Sequence, residues 1–277
     1  METDYVAELF GLAGRVAALT GGGGVLCSAM ARALARAGAQ VAVLDLNPAA
    51  AQAVAADIAG HGGQAAAFPV DVVERSSVER ALQGVLARFG RVDILINGAG
   101  GNRKQATTSP DLSFFDLPPE AFQAVLNLNL CGTVLPCQVF GRQMAAQGEG
   151  VILNIASINS FRPLTSIPAY SAAKAAVSNF TRWLAVHLSH HYSPRIRVNA
   201  IAPGFFLTEQ NRYLLTDEAT GQITPRGQAI LAHTPMGRFG VPEDLIGTVL
   251  WLVSPGAQFV HGVVVPVDGG FLAFGGV

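Results

Sequence analysis

Short apolar segments alternate with longer helical segments along almost all of the 277-residue chain. The short segments lack polar alternation, which is typical of strands buried on both faces of a parallel sheet. This alternation predicts an α/β fold, a doubly wound parallel sheet of about seven strands with helices on both faces. The predicted strands are Val16–Leu19, Val41–Leu44, Ala65–Phe68, Ile94–Asn97, Val151–Ile155, Ile196–Ala200 and Val263–Val267. The predicted helices are Ser28–Ala37, Ala49–Ala59, Arg75–Phe89, Glu120–Gln147, Ala169–Ser189 and Pro242–Val253.

The composition favours one large core. Half of the residues are hydrophobic and 13% are charged, so we expect a single domain over residues 1–277 and no extensive disorder. The net charge is −1 and the basic residues are scattered, which favours neither nucleic acid nor a membrane as a partner. The low surface charge instead indicates self-association.

Three cysteines, Cys27, Cys131 and Cys137, fall within apparent helices and lack a Cys-x-x-Cys spacing. We expect all three to be reduced, buried thiols in a cytoplasmic protein. The acidic first residues are not followed by an apolar run, so no secretory signal is expected. No Cys, His and carboxylate cluster has the spacing of metal ligands, so no metal is expected.

One segment, Phe205–Phe239, interrupts the alternation with about 35 residues that contain no strand pattern. Segments of this length inside a compact domain are usually functional, which predicts a lid over a site. A surface insertion is the alternative.

The first strand runs directly into a glycine-rich turn, Thr20-Gly-Gly-Gly-Gly24, and then into a helix. Glycines at such a turn let backbone amides approach a pyrophosphate, whose charge the helix N-terminus favours. The turn therefore predicts a Rossmann-type domain that binds a dinucleotide. The residues expected to contact it here are Gly21, Gly23, Gly24, Val25 and Leu26.

Asp45 closes the second strand. A carboxylate there accepts hydrogen bonds from the ribose hydroxyls of NAD and repels the 2′-phosphate of NADP. Its neighbours Leu46 and Asn47 offer that phosphate no cation, so NAD is the predicted cofactor. The next two strand ends complete the predicted cofactor site with Asp71, Val72, Asn97, Gly98 and Ala99.

Tyr170 and Lys174 lie four residues apart, which places a phenol and an ammonium on one face of a helix. A free phenol has a pKa of about 10, and a cation about 4 Å away stabilises the phenolate by up to about 4 kcal/mol. We therefore expect Lys174 to lower the pKa of Tyr170. Tyr170 would then act as the acid and base of a hydride-transfer reaction.

Two further residues are expected beside this pair. Ser157 follows the fifth strand, and strand carboxyl ends are where such sheets bind ligands, so its hydroxyl can hold a substrate oxygen. Asn129 falls in the middle of a predicted helix, where its amide can bind a main-chain carbonyl and order a water that leads to Lys174.

Together these motifs resemble the classical short-chain dehydrogenase/reductase family over about residues 9–271. The resemblance rests on the glycine turn, Asn97-Gly-Ala-Gly100, Asn129, Ser157, Tyr170-x-x-x-Lys174, Asn199-Ala-Ile-Ala-Pro-Gly204 and Asp268-Gly-Gly. It implies Ser157, Tyr170, Lys174 and Asn129 as the catalytic set, Pro203 and Gly204 against the nicotinamide, and Thr208 near its carboxamide. It also implies a homotetramer built partly on the helices that begin near Glu120 and Ala169.

The chain departs from the family pattern at two places. The pattern has glycine at positions 25 and 27, where this chain has Val25 and Cys27. Gly24 is the candidate replacement for the first, and Cys27 is small enough for helix packing. The doubled asparagine of the pattern is Asn97-Gly98 here, from which no consequence is expected.

Within the family, several stretches are similar to the D-mannonate oxidoreductases (fructuronate reductases). They are Gly100–Lys104, Asn159–Leu164, Gly204–Arg212 and His233–Gly240. A sugar acid needs a cationic anchor for its carboxylate and several amide or hydroxyl partners. The residues expected to supply them are Asn102, Arg103, Asn159, Arg162, Gln210 and Arg212.

Three alternatives stay open. One is a different polyol or sugar-acid dehydrogenase, such as a gluconate 5-dehydrogenase. A 3-oxoacyl thioester reductase is disfavoured because its acyl chain needs an apolar channel, which the cationic, amide-rich lid does not offer. A protein that binds NAD without turnover would not need the four catalytic residues.

Overall fold

The computed structural model describes residues 5–207, 215–217 and 220–276. Seven strands form one parallel sheet in the order β3-β2-β1-β4-β5-β6-β7. The strands are β1 (Val16–Thr20), β2 (Gln40–Asp45), β3 (Gln64–Pro69), β4 (Ile94–Asn97), β5 (Gly150–Ile155), β6 (Ile196–Pro203) and β7 (Val264–Val267). The seven predicted strands are confirmed, with small differences at their ends.

Helices cover both faces of the sheet, as predicted. They are α1 (Tyr5–Phe10), α2 (Val25–Arg36), α3 (Pro48–Gly60), α4 (Arg75–Phe89), α5 (Pro119–Leu126), α6 (Gly132–Gln147), α7 (Pro168–His191), α8 (Pro225–Ala232) and α9 (Ile246–Val253). One face carries α2, α3 and α9, and the other carries α4, α6 and α7. The chain is thus a single Rossmann-like α/β domain.

The predicted helix Glu120–Gln147 is interrupted. A π-helical segment, Asn127–Cys131, separates α5 from α6. Cys131 is exposed, whereas Cys27 and Cys137 are buried, so the expectation that all three thiols are buried is wrong for Cys131. The cause is helical phase: the wider turn directs Asn129 into the protein and leaves Cys131 on the outer side.

One helical stretch, Pro119–Gln147, has the length and apolar composition of a membrane-spanning helix. Half of its most apolar window is buried inside the domain. This burial is that of a core helix, since α6 packs against the sheet through residues such as Phe140 and Met144.

The strand order reverses between β1 and β4, because successive crossovers run outward from this pair in both directions. At such a reversal the carboxyl ends of parallel strands leave a crevice, which is where doubly wound sheets bind ligands. The glycine turn follows β1, and the Asn97-Gly-Ala-Gly100 turn follows β4. The two turns therefore face each other across the crevice.

Candidate active site

Helix α7 begins with Pro168 at its first turn and carries Tyr170 and Lys174 one turn apart. The Lys174 side chain is buried, and its Nζ donates a hydrogen bond of 2.7 Å to the carbonyl oxygen of Ile155, the last residue of β5. The same nitrogen lies 5.6 Å from the centre of the Tyr170 ring. Helix α7 and the end of β5 thus hold the ammonium beside the phenol.

Burial lowers the pKa of Lys174 to about 8 from its ordinary value of 10.5, because the protein interior disfavours the charged form. The nearby Cys27 raises this pKa slightly and does not offset burial. Near neutral pH Lys174 therefore remains mostly charged, and it loses its proton at a lower pH than an exposed lysine does.

Burial also raises the pKa of Tyr170, because the phenolate is the disfavoured form in the interior. The Ser157 hydroxyl acts in the opposite direction and only partly compensates. The expectation that the pKa of Tyr170 lies below its ordinary value is therefore wrong for the protein alone, since desolvation is the largest effect and outweighs the Ser157 hydrogen bond.

Ser157 follows β5 by two residues and is 8% exposed. Its hydroxyl oxygen accepts a hydrogen bond of 3.3 Å from the backbone amide of Asn159. This contact holds the hydroxyl at the end of β5, on the same side as the Tyr170 ring. The structure thus brings Ser157, Tyr170 and Lys174 together, as the sequence predicted.

Asn129 is fully buried within the π-helical segment. Its Nδ2 donates to the carbonyl oxygens of Val125 (2.8 Å) and Gly101 (2.7 Å), and its Oδ1 accepts from the amide of Gly101 (3.1 Å). The side chain therefore ties its helix to the turn after β4. Single π turns occur frequently at functional sites.

Gly100 leaves a small space between Asn129 and Lys174. A Cβ at position 100 would lie 2.7 Å from Asn129 Oδ1 and 3.4 Å from Lys174 Nζ. A side chain at position 100 would therefore clash with the Asn129 amide and crowd the Lys174 ammonium, so this position favours glycine. The motif Asn97-Gly-Ala-Gly100 includes this glycine but does not by itself indicate its contact with Asn129 and Lys174.

The glycine turn lies flat against the end of β2. A Cβ at Gly22 would lie 2.7 Å from Val43 Cγ1, and one at Gly23 would lie 2.7 Å from Ala50 Cβ. Gly21 has a positive φ of 65°, a conformation that side-chain-bearing residues rarely adopt. The turn therefore has room only for backbone.

Helix α2 begins at Val25, and its N-cap Gly24 supplies no side-chain cap. The first amides of α2 are thus directed at the crevice with their hydrogen-bonding capacity open. Because glycine backbone and a helix N-terminus meet here, these residues fit the pyrophosphate of a dinucleotide.

Asp45 lies at the other side of the same turn. Its Oδ2 accepts from the Gly23 amide at 2.9 Å, and its Oδ1 accepts from the Asn47 amide at 2.8 Å. These bonds fix the carboxylate at the edge of the crevice and leave each oxygen further acceptor capacity. Leu46 beside it is 72% exposed and offers no charge.

The remaining predicted cofactor residues lie at neighbouring strand ends. Val72 is buried against Gly132, and Asp71 Oδ1 accepts from the Val73 amide at 3.1 Å. Pro203 ends β6, and a Cβ at Gly204 would lie 2.8 Å from Asp268. Described residues of this set that share the carboxyl edge are Asp45, Leu46, Asp71, Val72, Asn97, Gly98, Ala99, Pro203 and Gly204.

Thr20 joins the two turns that face each other. Its Oγ1 accepts hydrogen bonds from the amides of Gly98 (3.1 Å) and Ala99 (3.3 Å). This contact spans the reversal in strand order. The sequence analysis had given Thr20 no role beyond its place in the glycine motif.

Two loops lie beside Tyr170: the first connects β4 to α5, and the second connects β5 to α7. In the first, Asn102 Nδ2 donates to Thr107 Oγ1 at 2.8 Å, and Ala106 is buried in the cluster that includes the Tyr170 ring. The amide of Thr108 donates to the carbonyl oxygen of Ser166, in the second loop, at 2.9 Å. The two loops therefore form one wall of the site.

Among the predicted substrate residues, Asn159 is 4% exposed, and its Oδ1 has no hydrogen-bond partner in the described part of the protein. Arg103 and Arg162 are exposed, one in each loop, and neither has an ion pair with a described carboxylate. Thr208, Gln210 and Arg212 lie outside the described residues.

The described parts of the predicted lid include one helix, α8, that the sequence pattern did not indicate.

After α8 in the chain, Arg238 donates to both carboxylate oxygens of Asp244, at 2.6 and 2.8 Å. This pair, with the Val241 amide, holds the pKa of Asp244 at about 2. A cavity of about 360 Å³ lies alongside, lined in part by Phe205, Met236 and Asp268.

The chain is similar to proteins of known family. A family model described as enoyl-(acyl carrier protein) reductase matches residues 25–272. An uncharacterized oxidoreductase of Bacillus subtilis (strain 168), UxuB, is 49% identical over 96% of this chain and 98% of its own length.

Two solved structures are similar over nearly the whole chain. A protein from Haemophilus influenza described as a D-mannonate oxidoreductase, with bound NAD, has a TM-score of 0.91 and 47% identity, covering 98% of this chain and 100% of its own. A gluconate 5-dehydrogenase from Burkholderia cenocepacia J2315, in complex with NADP and tartrate, has a TM-score of 0.86 and 33% identity, covering 97% and 99%. With this family match and these relatives, the chain belongs to the short-chain dehydrogenase/reductase family of oxidoreductases.

Proposed function

We propose that this oxidoreductase transfers a hydride between NAD(H) and a secondary alcohol or ketone of a sugar acid, most specifically the pair D-mannonate and D-fructuronate. The observation that carries the reaction type is the buried grouping of Ser157, Tyr170 and Lys174 beside the carboxyl end of β5. A hydroxyl, a phenol and an ammonium at one crevice edge are what proton transfer to a carbonyl oxygen requires.

The roles follow from the contacts. A bound nicotinamide supplies the hydride or accepts it. Tyr170 donates its phenolic proton to the ketone oxygen during reduction and removes the alcohol proton during oxidation. Ser157 holds that oxygen, and Lys174 stabilises the phenolate that remains. Asn129 fixes the turn after β4 through Gly101 and orders a water toward Lys174.

NAD is the proposed cofactor because Asp45 is fixed at the ribose end of the crevice. A carboxylate there repels a 2′-phosphate, and Leu46 provides no cation to bind one. The Haemophilus relative crystallised with NAD supports this choice, while the Burkholderia relative contains NADP. Thr208 is proposed to contact the nicotinamide carboxamide.

Polar side chains in the two loops beside Tyr170 support a sugar acid as the substrate class. Asn159 Oδ1 is buried and has no hydrogen-bond partner among the described residues, a costly state that a substrate hydroxyl would relieve. Arg103 and Arg162 are cations without a described acidic partner, as a carboxylate anchor requires. Asn102, Gln210 and Arg212 complete the proposed set.

A second candidate is oxidation of gluconate at carbon 5, favoured by the similarity to the Burkholderia enzyme. The substrate panel that separates them contains hexuronates, keto-aldonates, aldonates and neutral ketoses, each assayed with NADH or NAD and followed at the nicotinamide absorbance. We expect D-fructuronate to give the highest kcat/KM. A higher kcat/KM with 5-ketogluconate would favour the second candidate over the D-mannonate and D-fructuronate pair. A higher kcat/KM with a neutral ketose would contradict the sugar-acid assignment.

We further propose that the protein is a cytoplasmic homotetramer. The outer faces of its long helices are partly apolar: Trp183 and Val186 on α7 are 56% and 57% exposed. Such residues are suited to contact between subunits. Unpaired thiols at Cys27, Cys131 and Cys137 are compatible with a reducing compartment.

A further inference from the structure

Position 27 is unusual in the family pattern because it carries a side chain where that pattern has glycine. Cys27 is in the first turn of α2 and is buried. Its sulfur faces the turn after β4. A Cβ built at Gly98 would lie only 2.1 Å from Cys27 Sγ, a separation that two non-bonded atoms cannot adopt.

The backbone does not explain why residue 98 is glycine. Gly98 is absent from the glycines with positive φ, so its conformation is open to any residue. Its nearest other neighbour, the carbonyl oxygen of Thr20, would be 3.0 Å from the added Cβ, and Cys27 Cβ would be at an ordinary 3.7 Å. The shortest contact by far is therefore with the Cys27 sulfur, and the Thr20 carbonyl oxygen is a second, tight neighbour. The steric relationship between Gly98 and Cys27 is one that the sequence pattern did not indicate.

Movement of Gly98 would reach the cofactor crevice directly. The Gly98 and Ala99 amides bind Thr20 Oγ1, and a Cβ at Gly21 would lie 2.9 Å from Ala99 Cα. The backbones of the glycine turn and of the turn after β4 are thus in contact. A shift of one changes the position of the other, because neither has a flexible side chain between them.

The Cys27 thiol contributes volume without charge. Burial, and to a smaller extent Asp45, raise its pKa to about 12, while Lys174 acts weakly in the opposite direction. It is therefore neutral at all ordinary pH values. A neutral group is what a position beside a pyrophosphate tolerates, since a thiolate there would repel the phosphates.

We propose that Cys27 and Gly98 are an interdependent pair that positions the two turns for the dinucleotide, with the sulfur occupying the space that a side chain at position 98 would need. Neither residue touches the reacting atoms; both are positioning residues for the cofactor. The departures at positions 27 and 98 are therefore one compensated change. The pairing concerns the nicotinamide-nucleotide site of the proposed function and is independent of which substrate is reduced.

A double-mutant cycle tests the pair. Gly98→Ala should weaken NADH binding at least about ten-fold, measured by fluorescence titration without substrate, because the methyl displaces the sulfur or the turn. Cys27→Ala removes the sulfur and keeps the Cβ, which is compatible with a methyl at position 98. The double variant Cys27→Ala/Gly98→Ala should therefore return to within about three-fold of the wild-type Kd.

Two controls make the result specific. Cys27→Ser retains an atom at the γ position, so Cys27→Ser/Gly98→Ala should remain impaired. Gly247→Ala adds a methyl where nothing lies within 4 Å and should bind NADH as the wild type does. The same variants with ADP-ribose as ligand should follow the NADH series, because the pair acts at the pyrophosphate and adenosine end.

The proposal is overturned if Gly98→Ala binds NADH within two-fold of the wild type, or if Cys27→Ala and Cys27→Ser rescue it equally. If Gly98→Ala does not fold, the melting temperatures of the two double variants are compared instead. A higher melting temperature for Cys27→Ala/Gly98→Ala than for Cys27→Ser/Gly98→Ala supports the pair, and equal melting temperatures contradict it. Absence of NADH binding by the wild type would instead refute the proposed function, and these melting temperatures would still test the pair.

Discussion

Lys174 Nζ lies 5.6 Å from the centre of the Tyr170 ring and donates its hydrogen bond to the Ile155 carbonyl oxygen. The ammonium is therefore held between the catalytic helix and the end of β5. Its buried position lowers its own pKa to about 8, and burial raises that of Tyr170. The two pKa values are consequently further apart than in water, and the Lys174 ammonium is the more acidic of the two groups.

The lowered pKa of Lys174 makes protein stability depend on pH. Below about pH 8 Lys174 is charged in both folded and unfolded states, and the folded state bears the cost of burying the charge. Between about pH 8 and its unfolded value of 10.5, the folded protein has lost this proton and the unfolded chain has not, so stability rises with pH.

Lys174→Met removes this dependence. The free energy of unfolding of the wild type minus that of the variant should increase by about 2 kcal/mol from pH 7.5 to pH 10. Urea denaturation at each pH measures it, and other titrating groups cancel in the difference. A difference independent of pH would mean that Lys174 keeps its ordinary pKa in the fold.

Asp45 should determine the choice of cofactor. The wild type should have a higher kcat/KM with NADH than with NADPH, because the fixed carboxylate repels the 2′-phosphate. Asp45→Ala should narrow the difference by raising KM for NADH and lowering it for NADPH. Steady-state kinetics with both cofactors measure this, and equal kcat/KM values in the wild type would contradict the assignment.

One arginine should bind the carboxylate of the substrate. Alanine replacement of Arg103, Arg162 or Arg212, taken one at a time, should identify it by a rise in KM for fructuronate equivalent to about 1.5–3 kcal/mol. Arg103 and Arg212 are favoured, because one follows β4 and the other belongs to the predicted lid. The same variant should lose little with an uncharged ketose of equal length.

Arg80→Ala provides the matched control, since Arg80 is an exposed cation on α4. It should not change the ratio of kcat/KM for acid and ketose. If all three replacements behave like this control, the sugar-acid assignment loses its physical basis and a neutral polyol becomes the better substrate class.

Self-association should be measurable at micromolar concentration. A homotetramer is expected because α7 exposes Trp183 and Val186 and the chain carries little charge. Multi-angle light scattering should return about four times the chain mass of 28.8 kDa. A mass near that of one chain would contradict the prediction.

The sheet was predictable because its inner strands are buried on both faces. Residues such as Val16 and Ile96 are fully buried, so apolar runs mark each strand without the ambiguity of a half-exposed sheet. The grouping of Ser157 with Tyr170 and Lys174 was predictable for the same reason, since parallel strands and the helices after them bring these residues to one edge.

Other features depend on contacts that sequence spacing does not contain. The π segment Asn127–Cys131 changes the helical phase, so a single periodicity through the region misplaces Cys131. The contact between Cys27 and Gly98 joins residues far apart in the chain. The raised pKa of Tyr170 reflects burial, which a charge pattern alone does not reveal.

Replacement of Tyr170 by phenylalanine tests the central claim most directly. The variant keeps the ring that packs against Ala106 and Ala169 and loses only the proton that the reaction needs. Turnover of NADH with the preferred substrate should fall by about 10²-fold or more, the usual contribution of general acid–base catalysis, while the Kd for NADH stays within about two-fold of the wild type. Turnover above about 5% of the wild-type value, with NADH binding intact, would place the acid and base on another residue.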